Sequence, residues 1–166
     1  FSVAPGPLGH EPLAMAAALE PARVRDFLLA LVPGQVRTCE VILAAGLGIA
    51  FFESAAAPPL LSPRQFREVE LPALQCAMQE VSNVIREAGA ATGVAGPAAL
   101  PCIIGGDTAP IVEDLLTTGA DFLICPAETD REAFLARTAA RPEVRVRVNL
   151  DPAVYTSGTR AEMQVA

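Results

Sequence analysis

Lysine is absent from this chain. All twelve basic residues are arginine, and nineteen carboxylates leave a formal net charge of -7. The basic stripe that neutralises phosphates is therefore missing, which argues against a nucleic-acid partner. There is no Cys-x-x-Cys pair either. Cys39, Cys76, Cys102 and Cys125 lie far apart, each in or beside an apolar stretch. That pattern reads as reduced core thiols and a cytoplasmic location. Long apolar runs are lacking too. The longest charge-free window, Ala88 to Gly106, is interrupted by five glycines and two prolines. The run Val41 to Phe52 is shorter than the roughly 20 residues a bilayer crossing needs, so no membrane partner is expected. The chain opens on Phe1 without a basic-then-apolar leader, which reads as an interior piece of something longer.

What is present is an apolar, structured chain: 166 residues, 52% hydrophobic and 19% charged, enough for a single globular domain spanning 1–166 with a substantial core. Ser2 to Pro7 reads as a strand end and a Gly-Pro turn. His10-Glu11-Pro12 opens a helix that Pro21 restarts, and Pro33-Gly34 is expected to break it before a further helix stops at Gly46. Gly46 to Phe52 then reads as a strand with apolar residues on both faces. Ser62-Pro63 is a helix start, a hydroxyl to cap free N–H groups followed by proline at the first helical position. The helix runs from Pro63 to Ala88, with Pro72 kinking or dividing it and Gly89 closing it.

After a small-residue loop, Leu100 to Ile104 is a strand ending at Gly105-Gly106-Asp107-Thr108, and Asp107 or Thr108 should cap the helix Ala109 to Thr118. Asp121 to Cys125 is the next strand, Asp130 caps a helix to about Ala140, Val144 to Val148 is another strand, and Asn149-Leu150-Asp151-Pro152 starts the last turn and helix. Ala45-Gly46-Leu47-Gly48 and Thr118-Gly119-Ala120-Asp121 repeat one phrase, a helix stopped by glycine that turns at once into a strand. This alternation predicts an α/β fold, either an open parallel sheet or part of a barrel. With about five strands the chain is too short to close an eight-stranded barrel of roughly 250 residues.

Several of these segments, in this order and spacing, resemble the uroporphyrinogen decarboxylase superfamily, which also contains methylcobamide:thiol methyltransferases. Gly6-Pro7 is similar to the family's early Gly-Pro turn, Phe52-Glu53-Ser54 to its Phe-Asp/Glu-Ser segment, Leu61-Ser62-Pro63-Arg64-Gln65-Phe66 through Leu71-Pro72 to its loop-to-helix signature, and Asn149-Leu150-Asp151-Pro152 to its Gly-Asn-Leu-Asp-Pro turn. The resemblance implies a partial (β/α)8 TIM barrel with a ligand site at the C-terminal mouth. It also implies a lyase of porphyrin biosynthesis that decarboxylates acetate side chains of a tetrapyrrole without a cofactor. A corrinoid-dependent methyltransferase, which would bring zinc and a corrinoid, and a catalytically degenerate tetrapyrrole-binding barrel are the alternatives. A homodimer is one assembly it allows.

Two departures bear on the choice. The decarboxylases carry a tyrosine shortly after the Gly-Pro turn, where this chain has Leu13, and its one tyrosine is Tyr155. The methyltransferases carry a His-x-Cys-Gly zinc motif where this chain has Ile103-Ile104-Gly105-Gly106.

Four residues are the substrate-binding candidates: Ser54, Glu53, Asp107 and Asn149. The resemblance implies that Ser54 contacts a substrate carboxylate, although a turn serine would look the same. Glu53 can accept a pyrrole N–H or sit as a solvated strand-end carboxylate. Asp107, Asn149 and Asp151 stand at strand ends but equally suit side chains that fix their own turns. His10, the one histidine, lies near a helix start, and no catalytic residue is assigned. Cys102 and Cys125 fall on successive strands without a third ligand at metal spacing, which favours core thiols. Arg145 and Arg147 alternate with valines and so share one face, suited to carboxylates or to solvent.

Overall fold

The computed structural model describes residues 6, 9–53, 55–92 and 100–161, with no side-chain description for 90–92 and 155. The expected strand at Ser2 to Pro7 lies outside the described residues except at Gly6. In chain order the elements are α1 (His10–Leu19), α2 (Pro21–Ala44), β1 (Phe51–Glu53), a single turn α3 (Pro63–Gln65), a π-helical turn (Phe66–Glu70), α4 (Leu71–Thr92), β2 (Pro101–Ile104), a 3-10 turn (Ala109–Ile111), α5 (Val112–Leu115), β3 (Phe122–Cys125), α6 (Arg131–Thr138), β4 (Arg145–Val148) and α7 (Pro152–Ser157). The fold is α/β, with one open parallel sheet of four strands in the order β1-β2-β3-β4.

Local chemistry explains most starts and stops. Ser62 Oγ accepts from the Gln65 N–H while Gln65 Oε1 accepts from the Ser62 N–H at 3.0 Å, a complete capping box with Pro63 next in the chain. Asp130 and Asp151 cap α6 and α7 through the N–H groups of Ala133 and Ala153. The two repeated joints are alike: Gly46 and Gly119 take φ of 75° and 83° as the chain leaves its helix.

Two expected helix breakers, Pro33 and Pro72, behave differently from each other. Pro33 does not break α2, which runs through it. Pro33 and Gly34 lie on the exposed side, while Val24, Leu28, Val32 and Cys39 form the buried stripe. Packing along that stripe, chiefly against α4, outweighs the lost backbone bond. The helical run does change just before Pro72, where a π-helical turn, Phe66–Glu70, gives way to α4 at Leu71. There the Leu71 N–H reaches back five residues to Phe66 O, so the irregular turn precedes the residue that has no N–H to give. Gly89 does not end α4, and the first strand is shorter than expected, pairing with β2 only over Phe51–Glu53.

Because α2 is unbroken, it becomes the one helix among the described residues that is long and apolar enough to cross a bilayer by length and composition. In the fold it buries one stripe, and Arg23, Asp26, Arg37 and Glu40 are exposed.

The register decides which side of the sheet does what. Phe51, Cys102, Leu123 and Val146 are lateral neighbours, and Glu53 with Ile104, and Cys125 with Val148, follow two positions on. This face meets the helices in a core that includes Phe66, Val69, Met78, Val81 and Phe134. Phe52, Ile103, Phe122, Ile124, Arg145 and Arg147 occupy the other face and lie outside that core. Parallel sheets are ordinarily covered on both sides. Here the second face is uncovered at its β1 edge, where Phe52 is 65% exposed, while Ile124 on the same face is buried at 4%.

Candidate functional site

The C-terminal ends of the four strands lie at one edge, and their loops are joined by backbone bonds. The Gly105 N–H donates to Glu53 O at 3.1 Å, the Asp107 N–H to Pro58 O at 3.2 Å, and the Asn149 N–H to Cys125 O at 2.9 Å. Between the β2 and β3 loops sits a buried pair of threonines. Thr129 Oγ1 donates to Gly106 O and accepts from the Thr108 N–H, each at 3.0 Å. Since a carbonyl can only accept, Thr129 spends its one proton there, and the 3.0 Å bond between the two hydroxyls must be donated by Thr108. The rim is thus held by bonds that leave no unfilled hydroxyl on Thr129.

Beside this clasp is a cavity of about 280 Å³ at the ends of β3 and β4, where Thr129, Arg131, Asn149 and Asp151 supply polar atoms and Pro126 and Val148 apolar ones. It adjoins the open sheet face through Arg147, which donates to Asn149 Oδ1 at 3.2 Å. On that face the Arg145 guanidinium lies 5.7 Å from the centroid of the Phe122 ring, a cation–π distance. Cavity and face together offer apolar contact flanked by guanidinium groups. Chemically, that suits a flat apolar ligand carrying carboxylates.

The covered face holds a different kind of chemistry. Glu53 and Glu70 are both buried, at 7% and 3% exposure, close to Cys102 at 1%. Burial pushes the Glu70 carboxyl up to about 7, and the Glu53 carboxylate adds to the rise. Burial likewise pushes the Cys102 thiol up to about 12, with Glu70 and Glu53 contributing. Burial raises Cys39 and Cys125 as well, Arg131 opposing it at Cys125. At each of these thiols burial outweighs any nearby positive charge, which keeps it from becoming a thiolate.

The sequence candidates divide accordingly. Ser54 lies outside the described residues. Glu53 is at the strand end as expected, but it is on the helix-covered face, where Oε1 accepts from the Ala55 N–H and the side chain lines a second cavity of about 280 Å³ with residues of α2 and α4. Asp107 accepts from the Ala109 N–H at 3.2 Å, the turn-fixing role, while Thr108 uses its hydroxyl on Thr129 instead of capping. Asn149 reaches the mouth cavity and holds Arg147. Asp151 caps α7. His10 is exposed on α1 and does not line the mouth cavity. All four cysteines are free, and Cys102 and Cys125 share a face but are offset by two register positions. Among the described residues no group of three or more His, Cys, Asp or Glu is arranged to hold a metal ion.

Sequence reasoning missed Glu70, Thr129 and Arg131. Glu70 had a signal, since it falls on the helical stripe of Phe66, Val69, Ala73 and Leu74, where a carboxylate is out of place. The threonine clasp joins residues 21 apart in sequence and had none. Comparisons of this chain with protein-family models, curated proteins and solved structures find no match.

Proposed function

We propose that this chain is part of a (β/α)8 barrel of the uroporphyrinogen decarboxylase type and binds a carboxylated tetrapyrrole across the open sheet face and the mouth beside it. The observation that carries the reading is the arrangement of the sheet. Four parallel strands stand in sequential order, with the helical core on one face and an apolar, arginine-bearing face on the other. A doubly wound sheet reverses its order and takes helices on both faces, whereas a barrel keeps sequential order and turns its second face inward. The sequence resemblance supplies the chemistry. In decarboxylation of an acetate arm the methylene–carboxylate bond breaks, carbon dioxide leaves and the methylene carbon takes a proton, with no redox change.

Within this proposal Ser54 and the arginines of β4 meet carboxylate arms, and Asn149 orients Arg147. Glu53, behind the sheet, shapes the end of β1. Methyl transfer from a corrinoid to a thiol needs that thiol activated, ordinarily by zinc, and this chain has Ile103-Ile104-Gly105-Gly106 where the methyltransferases carry the zinc motif.

The test is an anaerobic absorbance titration of the protein with uroporphyrin and, separately, with methylcobalamin. The reading predicts saturable binding of uroporphyrin and none of methylcobalamin. The reverse preference would favour methyl transfer, and binding of neither would overturn the tetrapyrrole reading. Product analysis with uroporphyrinogen then distinguishes turnover from binding without catalysis.

A further inference from the structure

We propose that the groove between α2 and α4, on the helix-covered side of the sheet, is where a second copy of this chain docks, α2 crossing its counterpart at Pro33-Gly34. Leu29, Val32, Pro33, Val36 and Arg37 recur on α2 at the spacing of one helical stripe. With Cys76 and Glu80 of α4 they line a cavity of about 430 Å³. The stripe is distinct from the one that α2 turns to the core through Val24, Leu28 and Cys39. Docking there leaves the other sheet face as it is, so the assembly does not depend on the tetrapyrrole reading.

Charge selects the occupant. Arg37 stands on one wall of the groove and Glu80 on the other, both exposed, and among the described residues neither makes an ion pair. A two-fold axis through the groove would set Arg37 of each copy against Glu80 of the other, because an isologous interface makes every contact twice. The cation and the anion that line the groove cancel, whereas a chain of net charge -7 repels its copy as a whole. A groove carrying one charge of each sign, one on each wall, is complementary to itself.

The backbone points to the same partner. Proline and glycine are the two least favourable residues in a helix interior. Here they are adjacent in the middle of α2 and on its exposed side. A Cβ at Gly34 would meet nothing within 4 Å, so alanine would fit and would favour the helix. What glycine offers instead is room for a second backbone to come close. A solvated helix face has no use for that room, and a helix crossing does.

The experiment is sedimentation velocity over a concentration series of the chain, native and as Arg37→Glu, Glu80→Arg, the double swap and Gly34→Gln. All three positions are exposed, and far-UV circular dichroism confirms that each variant is folded. The native chain should show a reversible monomer–dimer equilibrium. Either single swap should weaken it by about tenfold, since two attractions become two repulsions, and the double swap should restore it. Gly34→Gln should be at least as helical as the native chain and yet dimerise more weakly. A native chain that stays monomeric throughout overturns the inference. Association that ignores the swaps places the contact elsewhere, such as a sheet edge, and also overturns it. Single swaps that weaken the dimer without rescue by the double swap would show that Arg37 and Glu80 do not meet across the axis, which contradicts the proposed crossing.

Discussion

Gly106→Ala should lower the stability of the fold by roughly 2–4 kcal/mol, read as a shift of the urea midpoint with an unchanged slope. Two costs combine at this position. Gly106 has φ of 85°, and a side chain there would place its Cβ 2.6 Å from the carbonyl oxygen of Pro58. That oxygen is not free to withdraw, because it accepts from the Asp107 N–H, and the Gly106 carbonyl is itself held by Thr129. Relief of the clash would have to pull the β1 and β2 loops apart at the rim of the mouth. A loss below about 1 kcal/mol would mean that the two loops are not in contact as described.

The second large effect concerns pH. Glu70 in the folded chain titrates near 7, against 4.5 for an ordinary carboxyl, so the folded state holds this proton more tightly than the unfolded chain does. Its contribution to stability is therefore fully present below pH 4.5 and is lost as the pH rises through 7. Glu70→Gln keeps the shape and removes the charge. It should make the chain more stable than the native one at pH 8, by on the order of 3 kcal/mol, and flatten the dependence of stability on pH between about 5 and 8. At pH 4 the two should differ little. Cys102, facing the same carboxylates, does not confuse the measurement, because its raised thiol stays protonated throughout that range. Urea titrations at the two ends of the range decide it. Equal stabilities of the two chains at pH 8 would show that the buried carboxyl carries no penalty.

How far these features could be read from sequence depends on the range of the interactions behind them. Caps at Ser62, Asp130 and Asp151 were legible because a side chain and an N–H group two or three residues away settle them. The glycine joints were legible for the same reason. The α/β class followed from the alternation of helix and strand, but the outcome at Pro33 did not, since it is decided by a stripe of residues packing largely against α4, some 40 residues further on in the chain. β1 was overestimated because strand length is set by the partner strand and not by local apolarity.

The site was legible in part. Asn149 and the arginines of β4 were picked out by their position and alternation, and the structure joins one of them, Arg147, to Asn149, which lines the mouth cavity. Glu53 was placed correctly along the strand, but which face it takes depends on register with β2. Glu70 is the instructive omission: its helical position was in plain view, and only the burial of that stripe turns a surface carboxylate into a titrating one.

Because this chain contains no tryptophan, an introduced indole reports on its own surroundings alone. Phe52→Trp places a single indole on the open sheet face, at an exposed position where the larger ring has room. Titration with uroporphyrin should quench its fluorescence saturably, with the same midpoint as the absorbance change. A saturable absorbance change that leaves the indole emission untouched would place the ligand away from this face and contradict the account.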